Sequence, residues 1–527
     1  MRNLREHERP GFFIETWLGF SRQESTSMGN PFDIGHLRKD LKGRAVRGFG
    51  VTASAQVVKL VLQMGATAVL ARILSPEDYG LMAMVIVVTG FVSMFKDAGL
   101  TMATVQVQEL SHEQVSTLFW INVALSVVLG LIVLSLSPAI AWFYGEPRLT
   151  NIAAIISISF LFSGCLAQHQ ALLRRQMRFK NLAIAEILSM AMGAVVAVIL
   201  GLNGWGYWAL VAQMLVSSFT NCVVVWFYSG WMPGAPRKGA DVASMLRFGA
   251  NVTGFNFINY LARNTDNLLI GWWWGSAALG IYSKAYGLLL VPVRQINAPI
   301  GAVVAPTLSR LKSEPEQFRA SALKMFRMVA IGCGPVAAFL MVFSEEVVMI
   351  LLGDQWVEAV PIFRWLSVVL LTQMILNQTA NVFTAQGRTD LLLKCGAINS
   401  AWAVIAIVAG LPWGAVGVAC LYGVSGLLLR APTLIYFMSR TKVFRQRDLY
   451  ASIAPVVILT LSAATLVLGL KSYLVTHLGH LPGVAISGSL LALVFVLAYS
   501  GVGSIRKSIV DGFKLFDVAR RRKKVST

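Results

Sequence analysis

The chain has 527 residues, 56% of them hydrophobic and 13% charged, against about 45–50% and 25% in an average soluble domain. That excludes an ordinary soluble protein and makes the membrane crossing the useful unit of length. Lys plus Arg number 45 against 25 Asp plus Glu, a net charge of +20, which suggests nucleic acid in a soluble protein but basic cytoplasmic loops in a membrane protein.

Residues 1–50 are charged and basic and lack the apolar stretch of a cleaved signal peptide. Within them Phe12 to Phe20 has the composition of a short interfacial helix, and Met28 is an alternative start. Apolar runs long enough to span, at about 20 residues each, follow at 51–71, 79–100, 117–142, 149–172, 182–202, 207–228, 247–271 and 279–305. Six more lie at 325–344, 359–384, 391–412, 415–438, 451–470 and 480–503. The fold class expected is an all-α integral membrane protein with about 14 transmembrane helices. Residues 51–228 and 247–438 hold six each, 451–503 the last two, and 504–527 form a basic tail.

The distribution of charge tests that count, because a miscounted helix would scramble it. Thirty-six of the basic residues fall on one side, and only Arg72, Arg148 and Lys471 on the other, among seven acids that include Glu345, Glu346, Asp354 and Glu358. By the positive-inside rule both termini are cytoplasmic, and no nucleic-acid partner is needed to explain the charge. The five cysteines, Cys165, Cys222, Cys333, Cys395 and Cys420, lie in apolar stretches with no C-x-x-C pair. They read as buried thiols, and no metal or other cofactor is expected.

An internal repeat runs at an offset of about 200 residues: Arg47-Gly48-Phe49-Gly50 matches Leu246-Arg247-Phe248-Gly249, and Tyr79-Gly80-Leu81 matches Leu279-Gly280-Ile281. Six helices separate the copies, so the halves run parallel about an axis along the membrane normal, an arrangement that commonly encloses a central path.

Six basic residues remain inside the spans: Lys59, Arg263, Lys284, Arg294, Arg364 and Arg430. A charge at the bilayer centre costs at least about 2.5–3.5 kcal/mol, so such residues tend to face a polar interior. Arg364 and Arg430 lie near helix ends and are expected to snorkel. Lys59 shares a helical face with Gln56 and Gln63. Asn256, Asn259, Arg263 and Asp266 stripe the seventh helix, where Arg263 and Asp266 also have the spacing of an ion pair. Lys284 and Gln295 share a face of the eighth, with Arg294 beside it. Lys59, Arg263, Lys284 and Arg294 are therefore a candidate cationic cavity for an anion rich in oxygen, such as a diphosphate. Asp97 and Glu186, near helix ends, are candidates for ion coupling. There is no nucleotide-binding loop and no hydrolase or zinc-protease motif, and no connecting loop exceeds about 20 residues, which leaves no room for a soluble catalytic domain.

Several stretches are familiar as a set: Ala68 to Val85 (AVLARILSPEDYGLMAMV), Asp97-Ala98-Gly99-Leu100, Leu110 to Asn122 (LSHEQVSTLFWIN), Arg175 to Asn181 (RQMRFKN), Gly280 to Tyr286 (GIYSKAY), Leu352 to Trp356 (LGDQW) and Ala385 to Asp390 (AQGRTD). Over roughly residues 45–440 the chain resembles bacterial polysaccharide transporters, flippases of the multidrug/oligosaccharidyl-lipid/polysaccharide exporter superfamily, and within them the colanic-acid and succinoglycan types. The resemblance implies two six-helix bundles in a V with two further helices, in a bacterial inner membrane. It implies transfer of an undecaprenyl-diphosphate-linked oligosaccharide between leaflets, with basic cavity residues on the head group. The partners implied are that lipid-linked substrate, membrane lipids and polysaccharide polymerase machinery. The alternative is a cation-coupled drug antiporter of the same superfamily, which should favour acidic residues in its cavity. An integral-membrane polymerase or ligase should carry a long periplasmic loop.

Overall fold

The computed structural model describes residues 41–96, 101, 104–105, 110–236 and 243–501, with the side chains of 41–49, 51, 53, 243–259, 261–262, 296–307, 374 and 501 left aside. The N-terminal segment up to residue 40, Asp97 and the basic tail lie outside this description, as do the side chains of Asn256 and Asn259. Among the described residues all regular structure is helical.

Helix α1 is Leu41–Ile73 and α2 Pro76–Ser93. The tight turn between them is set by its own chemistry: the Ser75 side chain accepts from the Asp78 amide and Asp78 accepts from the Ser75 amide, with Pro76 at the first helical position. Helix α3 is His112–Tyr144, opened by the same reciprocal cap between Ser111 and Gln114. It is followed by α4 (Arg148–Ile156) and α5 (Ile158–Arg175), which together make one crossing, then α6 (Phe179–Leu202) and α7 (Tyr207–Ser229). The helical stretch Ala243–Arg310 is two crossings, α8 (243–274) and α9 (276–310), reversing at Gly275 with φ 81°, a left-handed conformation that favours glycine. A bond from the Tyr282 hydroxyl to Asp266 closes this hairpin across 16 residues. Next come α10 (Pro315–Val342), the short α11 (Ser344–Leu351), α12 (Ala359–Gln386) and α13 (Thr389–Gly410). Helices α14 (Gly414–Ser425) and α15 (Ala431–Ser439) form one crossing joined by a π-helical turn, Gly426–Arg430. Helices α16 (Gln446–Leu478) and α17 (His480–Gly501) complete the chain.

Each of the fourteen expected runs holds a helix among its described residues, the second ending already at Ser93. Eleven helical stretches among the described residues are long and apolar enough to cross a membrane. Two of them contain a reversal, at Gly275 and in the turn Leu411–Trp413 before Gly414, and the 18-residue α2, which opens on Glu77 and Asp78, corresponds to the one remaining expected run. Contacts between loops respect the charge-based division into two ends. At the acidic end Arg148 pairs with Glu77 and Glu146, Lys471 with Glu346, and Trp274 donates to the Leu411 carbonyl. At the basic end Arg319 pairs with Asp448 and Trp120 donates to the Gly234 carbonyl. Exposed Trp142, Trp205, Trp272, Trp273, Trp274 and Trp413 ring the acidic end, as aromatic side chains do where a bilayer meets water.

The largest buried apolar cluster joins the two halves of the chain, from Leu70, Leu81 and Met84 through Leu279 and Tyr282 to Trp356 and Phe363. Helices α16 and α17 dock separately, Ala463, Ala464, Val467, Leu491 and Phe495 packing on Ala338, Val342 and Phe343. One expectation about lone cations changes. Arg430 does not snorkel: it is 5% exposed, its guanidinium 4.7 Å from the centre of the Tyr422 ring, because the π-helical turn that it ends rotates it into the protein. Arg364 is half-buried and donates to the Ser344 hydroxyl at 3.0 Å.

Candidate functional site

Among the described residues, four helices line a cavity of about 510 Å³, within the size range of small-molecule sites. Helix α1 contributes Gln56, Lys59, Leu60 and Gln63, at the three- and four-residue spacings that put side chains on one face. From α6 come Glu186, Ser189 and Met190, and from α7 Ser217. Helix α9 adds Gly287, Leu290, Val291, Arg294 and Gln295. The polar lining thus comes from both halves of the chain. Lys59 and Glu186 face each other across α1 and α6, the ammonium 2.5 Å from a carboxylate oxygen, whereas Arg294 is exposed.

The structure brings together Gln56, Lys59, Gln63, Glu186, Arg294 and Gln295 of the residues singled out in the sequence. It holds Lys284 and Asp266 away from the lining. Lys284 lies one turn beyond Gly287 on the same face of α9, but its ammonium is stacked on the Tyr79 ring of α2, 3.5 Å from the ring centre. Asp266 is buried at 4% exposure and accepts from the Tyr282 hydroxyl at 2.8 Å and the Asn267 amide. Arg263, on the preceding turn, is exposed and forms no ion pair with Asp266. Ser189, Met190 and Ser217 line the cavity without having been singled out. The spacing of Ser189 and Met190 at three and four residues from Glu186 was their only signal.

The halves are packed shut at the acidic end of the cavity. A Cβ added to Gly80 would lie 1.7 Å from the Ser276 carbonyl oxygen, and one added to Gly280 would lie 1.8 Å from that of Pro76. The equivalent residues of the internal repeat therefore meet reciprocally, and only glycine allows the approach. Beside them the Leu352 to Trp356 motif caps the C-terminal end of α1: the Trp356 indole donates to the Ala71 carbonyl at 2.8 Å, and the Gln355 amide to Ala71 and Leu74. These are carbonyls the helix itself cannot satisfy. Arg72 returns a bond of 2.8 Å to the Ile350 carbonyl. The role of this motif as a cap rests on a contact across 285 residues, which leaves no local signal in the sequence.

Comparison with known proteins agrees with this architecture. The chain is 28% identical over 385 residues to the lipopolysaccharide biosynthesis protein WzxC of Escherichia coli K12, covering 72% of this chain and 77% of that one. It is 26% identical to the succinoglycan biosynthesis transport protein ExoT of Rhizobium meliloti over 498 residues, covering 90% and 96% respectively. Among solved structures it superposes on the lipid II flippase MurJ in an inward closed conformation with a TM-score of 0.66 at 13% identity, covering 86% of this chain and 98% of the other, which shows a shared fold. A profile of the polysaccharide biosynthesis protein family matches residues 69–361, more than half of the chain and most of the helices that build the cavity and its closed end; the chain belongs to that family.

Proposed function

We propose that this protein is a flippase that moves undecaprenyl-diphosphate-linked oligosaccharide repeat units across the bacterial inner membrane for exopolysaccharide, capsule or O-antigen synthesis. The observation that carries this reading is a polar cavity holding Lys59 from one half of the chain and Arg294 from the other, packed shut at the acidic end. With the basic end in the cytoplasm, a cavity closed at the acidic end takes its head group from the cytoplasmic side. A diphosphate offers several oxygens, which Arg binds as a fork and Lys as a point charge. Arg263 and Lys284 extend the same cationic set as groups met later along the path, since neither lines the cavity in this state. Two bundles rocking about the central axis then give alternating access. Delivery on the far side feeds the polymerase machinery, and family kinship with proteins named for transport makes this a transporter rather than an enzyme.

The test deletes the gene and measures surface polysaccharide and the leaflet distribution of lipid-linked repeat units, with Lys59→Gln and Arg294→Gln alleles returned. Loss of polymer with repeat units stranded in the cytoplasmic leaflet is expected, and a fall of at least tenfold in export for either allele. Normal polymer in a strain without a redundant transporter would overturn the reading in favour of a drug antiporter.

A further inference from the structure

Glu186 is anomalous in a cavity built to receive an anion. Its carboxylate lies 2.5 Å from the Lys59 ammonium, the two side chains are 41% and 20% exposed, and both line the cavity. A carboxylate there repels a diphosphate and occupies one of the two cations that would bind it. Without it, however, an empty cavity would leave Lys59 uncompensated inside the membrane, which is costly. Arg294 has no such neighbour among the described residues and stays exposed to the cavity.

We infer that Glu186 is a positioning residue that holds Lys59 while the cavity is empty and surrenders it to the diphosphate of the substrate when the head group enters. This rests on the flippase reading and assigns a role within it. Lys59 and Glu186 both belong to the first half of the chain and Arg294 to the second. Exchange of Lys59 from Glu186 to phosphate therefore replaces an ion pair inside one half with a phosphate bridge between the halves. That bridge favours closing the basic end around the cargo. When the acidic end opens, Glu186 competes for Lys59 again and helps to expel the head group. Glu186 lowers affinity so that turnover can proceed: tight ground-state binding would hold the cargo in place.

The test uses the full chain in lipid nanodiscs with farnesyl diphosphate as probe, comparing wild type, Glu186→Gln, Lys59→Gln, Arg294→Gln and the Lys59/Glu186 double variant. Glu186→Gln is expected to tighten binding by about two- to fivefold, the scale of a partly exposed ion pair. Glu186→Asp, which keeps the charge, should restore affinity close to wild type. The gain should vanish in the Lys59→Gln background, because there is no cation left to release. In proteoliposomes Glu186→Gln should lower both the half-saturating lipid concentration and the maximal rate, a split that a merely structural role would not produce. Unchanged or weaker binding by a monodisperse Glu186→Gln protein, with Lys59→Gln and Arg294→Gln each weakening it at least tenfold, overturns the exchange and leaves the site standing. Failure of the wild type to bind, or indifference of binding to Lys59 and Arg294, overturns the site and the exchange together.

Discussion

Arg294 and Tyr282 lie about three turns apart on α9 and carry different kinds of weight. The Tyr282 hydroxyl donates to the buried Asp266 carboxylate at 2.8 Å, and the ring itself is fully buried. Tyr282→Phe therefore leaves a buried acceptor short of a partner, at a cost of about 1–3 kcal/mol, while Arg294→Gln changes an exposed side chain, where effects stay within about 0.5 kcal/mol. Thermal unfolding and farnesyl diphosphate binding measured on the same preparations should separate them. Tyr282→Phe is expected to lower the melting temperature and keep affinity, Arg294→Gln to keep the melting temperature and lose at least tenfold in affinity. Loss of binding in Tyr282→Phe at full stability would place Asp266 in the site instead. The sequence makes it plain that Arg263, Asp266, Lys284 and Arg294 are charges within apolar runs. Where each side chain points depends on the reversal at Gly275, which sets Asp266 against Tyr282, and on α2, whose Tyr79 captures Lys284. Contacts between residues 16 or 205 positions apart leave no trace in local periodicity.

At the scale of elements, hydropathy and charge alternation were enough to locate the long apolar helices, because every backbone polar group in lipid must be satisfied within a helix and each reversal needs a polar or glycine-bearing turn. The π-helical turn at Gly426–Arg430 and the boundary between α4 and α5 at Ser157 were not legible, since they shift hydrogen bonding without interrupting the apolar run. The repeat at an offset of 200 was legible, but its physical meaning was not: Gly80 and Gly280 permit the ends of α2 and α9 to cross in backbone contact. A methyl group at either position must push backbone apart, and overpacking of this kind costs about 1–3 kcal/mol, enough to move a two-state equilibrium by roughly five- to 150-fold. With the five native cysteines replaced, a cysteine at the fully buried Leu279 should react slowly with a membrane-impermeant maleimide. Addition of Gly80→Ala or Gly280→Ala should speed that reaction at least fivefold. No change in rate would mean that the crossing yields without opening.

At the scale of the whole molecule the acidic end is closed, and that closure was not available from composition or pattern. The sequence distinguishes a basic side from an acidic one but says nothing of whether the acidic one is closed. In the structure Arg72, Gln355, Trp356 and the two glycines bind the halves together at the acidic end, while the polar cavity lies between them toward the basic end. If transport requires the halves to part there, holding them together must stop it. Arg72 and Ile350 are both exposed, and the arginine side chain reaches the Ile350 carbonyl at 2.8 Å, so cysteines at these two positions in a background without the native five are within reach of a short bifunctional thiosulfonate. Cross-linking should proceed in high yield without substrate and reduce export of repeat units to background, and a reductant should restore it. Either cysteine alone, treated in the same way, should retain export, which separates tethering from simple modification. Full export by the tethered protein would show that the cargo leaves without separation of the halves at this end, and alternating access through the acidic face would have to be abandoned.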